Sequence, residues 1–239
     1  MAGGIRSSSR KYLNQTRRPI YSAALVLPFF VIYHTGTILF RTTYINGADA
    51  LIIRLLSALT VHSMFASALV LLACFVVWQL RTRASWDIDS RKLAALFGES
   101  LFFALLLFLI FAYLPVMFSL AAGGARTPGA IERLVLYCGA GIYEELLFRG
   151  FLLGLLMLIS TRILDMKPTR AAVCSALAAA LLFALFHYVG PAADRFSWSS
   201  FLQRTGGGLY FSALFVTRGF GVTAAAHAFY DMLVGLLLR

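Results

Sequence analysis

Seven stretches of this chain, at roughly 20–40, 59–80, 93–120, 130–159, 170–190, 199–217 and 219–238, are long and apolar enough to cross a bilayer, for which about 20 residues suffice. In lipid every backbone N–H and C=O must find a partner inside the protein, so runs of this length fold as helices. Composition agrees, since 60% of residues are hydrophobic, mean hydropathy is +0.82 and only 13% of residues are charged. A soluble domain carries about 25% charge. The same figures exclude disordered, collagenous and disulfide-scaffold classes. The expected fold is an all-α integral membrane protein, a polytopic bundle of about seven transmembrane helices, with six to eight possible, around an intramembrane polar cavity.

Positive charge orients the bundle. Arg6, Arg10, Lys11, Arg17 and Arg18 precede a first apolar run that is too long for a signal-peptide core and has no clear small-residue cleavage site, so it reads as a retained helix. With the N-terminus inside, thirteen Lys and Arg residues fall on the inner side and seven on the outer, with Arg149 inside a span. This puts the N-terminus in the cytoplasm, with the chain in the cell (inner) membrane. The net charge of +11 then reports topology and attraction to anionic lipid rather than nucleic acid.

Several local features qualify this outline. Residues 41–58 form either an interfacial helix or an early start of the second span, because Leu51, Ile52, Leu55, Leu56 and Leu59 recur at helical spacing around Arg54. The third span carries Pro115 and a lone Glu99. Gly206, Gly207 and Gly208 mark a close-packing site in preference to a hinge. Cys74, Cys138 and Cys174 lack CxxC spacing and read as buried small hydrophobes.

Charge inside the membrane costs about 2.5–3.5 kcal/mol per group even on lenient scales, so each such residue needs a reason. The fourth span holds Glu144, Glu145 and Arg149. Glu145 and Arg149 stand in the favourable i,i+4 ion-pair order, and a salt bridge that only sets helix packing explains them as well as a functional role does. Glu144 lies about 100° around the helix, where a second carboxylate brings cost without packing benefit; it is the candidate general base. The fifth span ends with Phe183 and His187, and the seventh contains His227 and Asp231 one turn apart. His34 and His62 read as hydrogen-bonded packing residues. Gly139, Gly141, the GxxxG pair Gly150 and Gly154, and the alanines at 176 and 178–180 support close helix approach.

Three motifs in order, Glu-Glu-x-x-x-Arg (Glu144, Glu145, Arg149), Phe-x-x-x-His (Phe183, His187) and His-x-x-x-Asp (His227, Asp231), resemble the CAAX-protease and bacteriocin-processing (CPBP, or Abi) family of glutamic-type intramembrane proteases. This family includes the Ras-converting prenyl-protein endopeptidases. The resemblance covers roughly residues 130–235. It divides the chain into a basic N-terminal segment 1–19, accessory transmembrane helices 20–128 and a catalytic core 129–239.

The resemblance implies a membrane-embedded peptidase acting on a membrane-anchored protein or peptide, with no nucleic-acid partner. Glu144, assisted by His187, would activate water; His227 and Asp231 would meet the oxyanion; Glu145, Arg149 and Phe183 would support them. Many relatives have Asn where Asp231 stands, so a neutral donor and a charged group are both open there. No cofactor is implied, although a zinc-dependent variant would use Glu144, His187 and His227 as ligands. Against zinc stands the absence of His-Glu-x-x-His spacing. A non-catalytic immunity or assembly factor on the same fold is the alternative, and a proton-coupled carrier would also bury such groups. One tension accompanies this reading: straight spans put Glu144, His187 and His227 at depths differing by up to about 12 Å, at 1.5 Å per residue. The fifth helix must therefore shift, tilt or break near Tyr188 to Pro191.

Overall fold

The computed structural model describes residues 11–40, 45–63, 65–112, 129–190 and 193–237, and the regular structure among them is entirely helical. The helices are α1 (Pro19–Leu39), α2 (Gly47–Ala58), α3 (Ala66–Thr82), α4 (Ser90–Ala112), α5 (Ala130–Gly139), α6 (Gly154–Arg162), α7 (Pro168–Phe186), α8 (Trp198–Arg218) and α9 (Phe220–Leu237). Two π-helical stretches, π1 (Ala140–Glu144) and π2 (Leu146–Leu153), join α5 to α6 in one rod. Helices α1, α4, α7 and α9 are long and apolar enough to cross a membrane, and α3 is a shorter apolar helix. This is the polytopic helical bundle expected from the apolar runs.

Boundaries moved where local chemistry decided them. Within 41–58 the described residues do not begin the second span: α2 is a separate helix, started by the Asn46 side chain, whose Oδ1 accepts the N–H groups of Ala48 (2.9 Å) and Asp49 (3.4 Å). Helix α4 begins where Asp89 Oδ1 accepts the N–H groups of Arg91 and Lys92. Pro115, placed in the third span, lies outside the described residues. Helix α7 ends at Phe186, four residues before the expected end of its span at 190, and the chain turns through His187 to Gly190, which has φ +102°.

Each helix is sorted by what it faces. On α7 the small residues Ala171, Ser175, Ala179 and Ala180 are buried, while Val173, Leu177, Leu181 and Leu185 form an exposed i,i+4 stripe suited to lipid. Helix α9 is the inner element, buried at every position from Phe220 to Ala228 and packed against α1, α4, α8 and π1. A Cβ on Gly141 would sit 2.5 Å from the Ala224 carbonyl oxygen, and one on Gly208 would sit 2.9 Å from Ala180 Cβ. These two glycines let the rod approach α9 and let α8 approach α7, as expected of Gly141 and of the triple-glycine run. The GxxxG pair does not act this way. A Cβ on Gly154 meets open space, and Gly150 has only its own helix nearby, so neither makes an interhelical contact.

Three further readings change. Cys138 is buried, but Cys74 is only half-buried and Cys174 is exposed, because α7 turns Cys174 away from the bundle. His62 is exposed in the link before α3 rather than packed. Glu99 is not alone: it accepts hydrogen bonds from Tyr12 Oη and from Arg218, so α4 ties the N-terminal segment to the end of α8.

Substitution of Gly141 by Ala should lower stability by about 1–3 kcal/mol through overpacking against a backbone oxygen. Gly154→Ala should be neutral or stabilising by up to about 1 kcal/mol. Thermal unfolding in detergent measures both, and equal effects would show that the contact at Gly141 is not the tight one.

Candidate active site

The rod is π-helical through the whole Glu144–Arg149 region apart from Glu145 itself. Such widened turns concentrate at functional sites because they re-aim side chains that a regular helix would spread apart. Here they surround three charged residues, all buried: Glu144 at 7% exposure, Glu145 at 0% and Arg149 at 1%. Arg149 Nη1 donates to Glu145 Oε1 at 2.8 Å, and Nη2 donates to the Gly208 carbonyl at 3.1 Å. Its guanidinium lies over the rings of Phe183 and Phe211, 4.6 and 5.6 Å from their centroids. A buried cation is thus met by a carboxylate, a carbonyl and two π faces, and it links the rod to α7 and α8.

Glu145 serves a second partner. Its Oε1 accepts from His227 Nδ1 at 2.7 Å, so Glu145 fixes the imidazole, and Phe211 stacks on the ring at 4.6 Å. The structure shows Asp231 Oδ2 at 3.7 Å from Nε2 and Glu144 Oε2 at 3.9 Å from the same nitrogen, both beyond hydrogen-bond length. Nδ1 is therefore engaged, and Nε2 faces two carboxylates across a small gap.

His187 is oriented by the first residue of its own motif. Its Nδ1 donates to the Phe183 carbonyl at 2.9 Å, which leaves Nε2 as the remaining nitrogen. The Phe183 ring packs edge-on to His187, with centroids 5.0 Å apart, while carrying Arg149 on its face. Phe-x-x-x-His is thus one turn in which Phe183 positions both the histidine and the arginine. Glu144, His187, His227 and Asp231 all line one cavity of about 230 Å³, together with Tyr137, Gln203, Arg204 and Tyr230. The expected depth difference is not seen: the three side chains reach one cavity, with His187 in the turn directly after α7.

Two residues of this site escaped the sequence reading. Asn46 Nδ2 donates to Glu144 Oε1 at 2.9 Å while the same amide's oxygen caps α2, and its backbone N–H donates to Tyr33 Oη, which in turn donates to Asp49. An Asn before Gly47 carries an N-cap signal, but nothing in its spacing points to a residue 98 positions away. Arg204, counted among the charges that report topology, lies on the cavity wall and pairs with Asp194. His34 is the hydrogen-bonded packing residue expected, its Nε2 lying 2.7 Å from Tyr143 Oη.

The zinc alternative requires Glu144, His187 and His227 to converge on one point. Among the described residues no three His, Cys, Asp or Glu side chains are arranged to hold a metal ion. His227 Nδ1 is committed to Glu145, which leaves only its Nε2 to face an ion.

Residues 126–233 match the family model described as Rce1-like, type II CAAX prenyl endopeptidase. The matched stretch contains all three motifs, and over those residues the resemblance to the CPBP family is borne out. No curated protein and no solved structure matches the chain. Asn46, Tyr33 and α1 to α4 lie outside the matched residues.

Removing the buried cation should leave Glu145 uncompensated and destabilise the fold by about 3–5 kcal/mol. Arg149→Met is the test, by thermal unfolding in detergent. Arg149→Lys should recover only part of the loss, because an ammonium lacks the planar fork that reaches Glu145 and Gly208 together. Wild-type stability in Arg149→Met would show that the pair does not hold the rod to α8.

Proposed function

We propose that the chain is an intramembrane endopeptidase in which Glu144 activates a water molecule. The family match supports a peptidase. The observation that carries the finer reading is the convergence of Glu144, His187, His227 and Asp231, drawn from three separate helical segments, on a single cavity. Asn46 occupies Glu144 Oε1, so Oε2 is the oxygen that addresses water. Glu144 takes a proton as the water oxygen bonds to the scissile carbonyl carbon. The oxyanion forms beside His227, whose Nδ1 is tethered by Glu145; a proton on Nε2 makes it a donor to that oxygen in a site with little water to compete. Asp231 Oδ2 lies 3.7 Å from the same nitrogen, without a hydrogen bond to it. The C–N bond then breaks, and the proton held by Glu144 passes to the leaving nitrogen, with His187 Nε2 as the relay. No step in this scheme uses a metal.

The substrate is a membrane-anchored protein or peptide, and prenylation is not a requirement of the chemistry. The basic residues Arg18, Arg83, Lys92 and Lys167 lie at the end of the bundle where α1, α4 and α7 begin. The cavity lies at the other end, where α4 and α7 finish and α8 begins. With the basic end in the cytoplasm, the cavity opens toward the opposite face of the membrane.

Glu144→Gln keeps size and polarity while removing the base. It should reduce cleavage of a farnesylated CAAX peptide, or of an acyl-anchored peptide of the same sequence, by about 10²–10⁴-fold. Asn46→Ala should lower kcat more than it changes KM, and chelator should leave the wild-type rate unchanged. Full activity in Glu144→Gln would remove Glu144 as the base, and loss of activity under chelator would restore the zinc mechanism.

Topology is tested in a variant lacking the three native cysteines. A cysteine at Leu59 should react with an impermeant maleimide on intact cells, and one at Lys167 only after permeabilisation. The opposite pattern would place the cavity on the cytoplasmic face.

A further inference from the structure

The rod has a second face that the water-activation scheme does not use. Leu146 and Gly150 line a cleft of about 230 Å³, separate from the cavity that holds Glu144 and bounded on its other sides by α3, α8 and α9. Helix α3 packs chiefly on α1 and α2, and it reaches the far wall through Phe75, whose ring meets that of Phe220 edge-on with centroids 5.6 Å apart. Apart from the Cys74 sulfur and the Trp78 indole nitrogen, the side chains that line the cleft carry no polar atom. Apolar walls of this kind hold no water, so within a bilayer the space is filled by hydrocarbon.

Gly150 keeps the cleft open. A Cβ there would meet only its own helix, at 3.5 Å from Leu146 Cδ1, so the glycine serves no contact between helices. Any longer side chain would project into the cleft that Gly150 lines.

The cleft also has a charged end. Leu71, Cys74 and Trp78 line it from α3 at helical spacing, and Arg81 continues that face by one more turn. Arg83 closes the helix two residues later. Both arginines are exposed, and neither forms an ion pair among the described residues. The carboxylates nearest them in sequence are engaged, Asp87 by the Ser85 hydroxyl and Asp89 by Lys92. From Leu71 to Arg81 the helix rises about 15 Å at 1.5 Å per residue, which is half of a hydrocarbon core about 30 Å thick. The groove thus has the length of one leaflet, with its cations at the basic end of the bundle.

We propose that this cleft is a binding site for an anionic glycerophospholipid, with one acyl chain lying between α3 and the rod and the phosphate at Arg81 and Arg83. Basic groups at the end of an apolar groove between membrane helices select anionic head groups over zwitterionic ones. The bound chain fills the face of the rod that no helix covers, on the side away from Glu144.

Trp78 reports on the cleft directly, because the chain has only two other tryptophans, Trp86 and Trp198, and both are exposed. The full chain carrying Trp86→Phe and Trp198→Phe is placed in phosphatidylcholine bilayers, and quenching of Trp78 fluorescence by brominated lipids is measured. Brominated phosphatidylglycerol should bind about fivefold more tightly than brominated phosphatidylcholine, the value of one arginine near the surface. Arg81→Gln combined with Arg83→Gln should bring the ratio toward one. Gly150→Leu should weaken quenching by both lipids, because the added side chain occupies the path of the tail. Equal quenching by the two lipids overturns the proposal, and that comparison needs no cleft variant to fold. A ratio unchanged by the arginine substitutions, or quenching unchanged in Gly150→Leu, also overturns it. Relief of quenching by one equivalent of a farnesylated CAAX peptide would assign the cleft to a substrate anchor and equally overturn it. Cleavage is not read in this experiment, so its outcome is independent of the endopeptidase reading.

Discussion

The buried carboxylate of Glu145 is the interaction on which the site depends. Its Oε1 is shared between Arg149 and His227 Nδ1, at 2.8 and 2.7 Å, so one oxygen joins the rod to α9. Through the Arg149 contact with the Gly208 carbonyl it also joins the rod to α8. Without it Arg149 would be an unpaired cation away from water, a cost of several kcal/mol, and the His227 ring would lose its orientation. Glu144, the adjacent residue, is thereby presented from a framework that is already rigid. The adjacency of two intramembrane carboxylates has a physical division of labour: one is consumed by structure so that the other can face the cavity.

The two halves of the chain meet at Glu144. The stretch matched by the family model supplies Glu144, His187, His227 and Asp231. The preceding half supplies Asn46, whose amide donates to Glu144 with one end and caps α2 with the other. Tyr33 accepts the Asn46 N–H and donates to Asp49, so α1 and α2 act as a brace on a carboxylate in the rod. The accessory helices therefore complete the site and do not merely surround it. This reading predicts coupling between the stability of the α1–α2 corner and the geometry of Glu144.

Much of this was legible in the sequence because lipid makes charge expensive. Glu144, Glu145, Arg149, His187, His227 and Asp231 stood out as polar groups in apolar runs, and six of the seven expected spans have a helix that begins within three residues of the position hydropathy assigned it. What escaped were residues whose role depends on orientation across the bundle. Arg204 sits near a span end, where hydropathy and charge counting cannot distinguish a solvated arginine from one turned into a cavity. Asn46 is polar in a polar link and costs nothing there, so no energetic penalty marked it. Gly150 and Gly154 have interhelical spacing, yet π2 and the rod's packing turn them away from any neighbour. The π-helical turns around Glu144 are themselves invisible to a 3.6-residue periodicity, and they decide which side chains reach the cavity.

The central claim is that Glu144 delivers water to the scissile carbonyl and does not attack it. A single turnover with enzyme in excess, run in ¹⁸O-labelled water, tests this directly. Water activation predicts that one labelled oxygen appears in the new carboxylate of the product and none in the enzyme. Label recovered on Glu144, as hydrolysis of a glutamyl–substrate anhydride would leave it, would contradict the account.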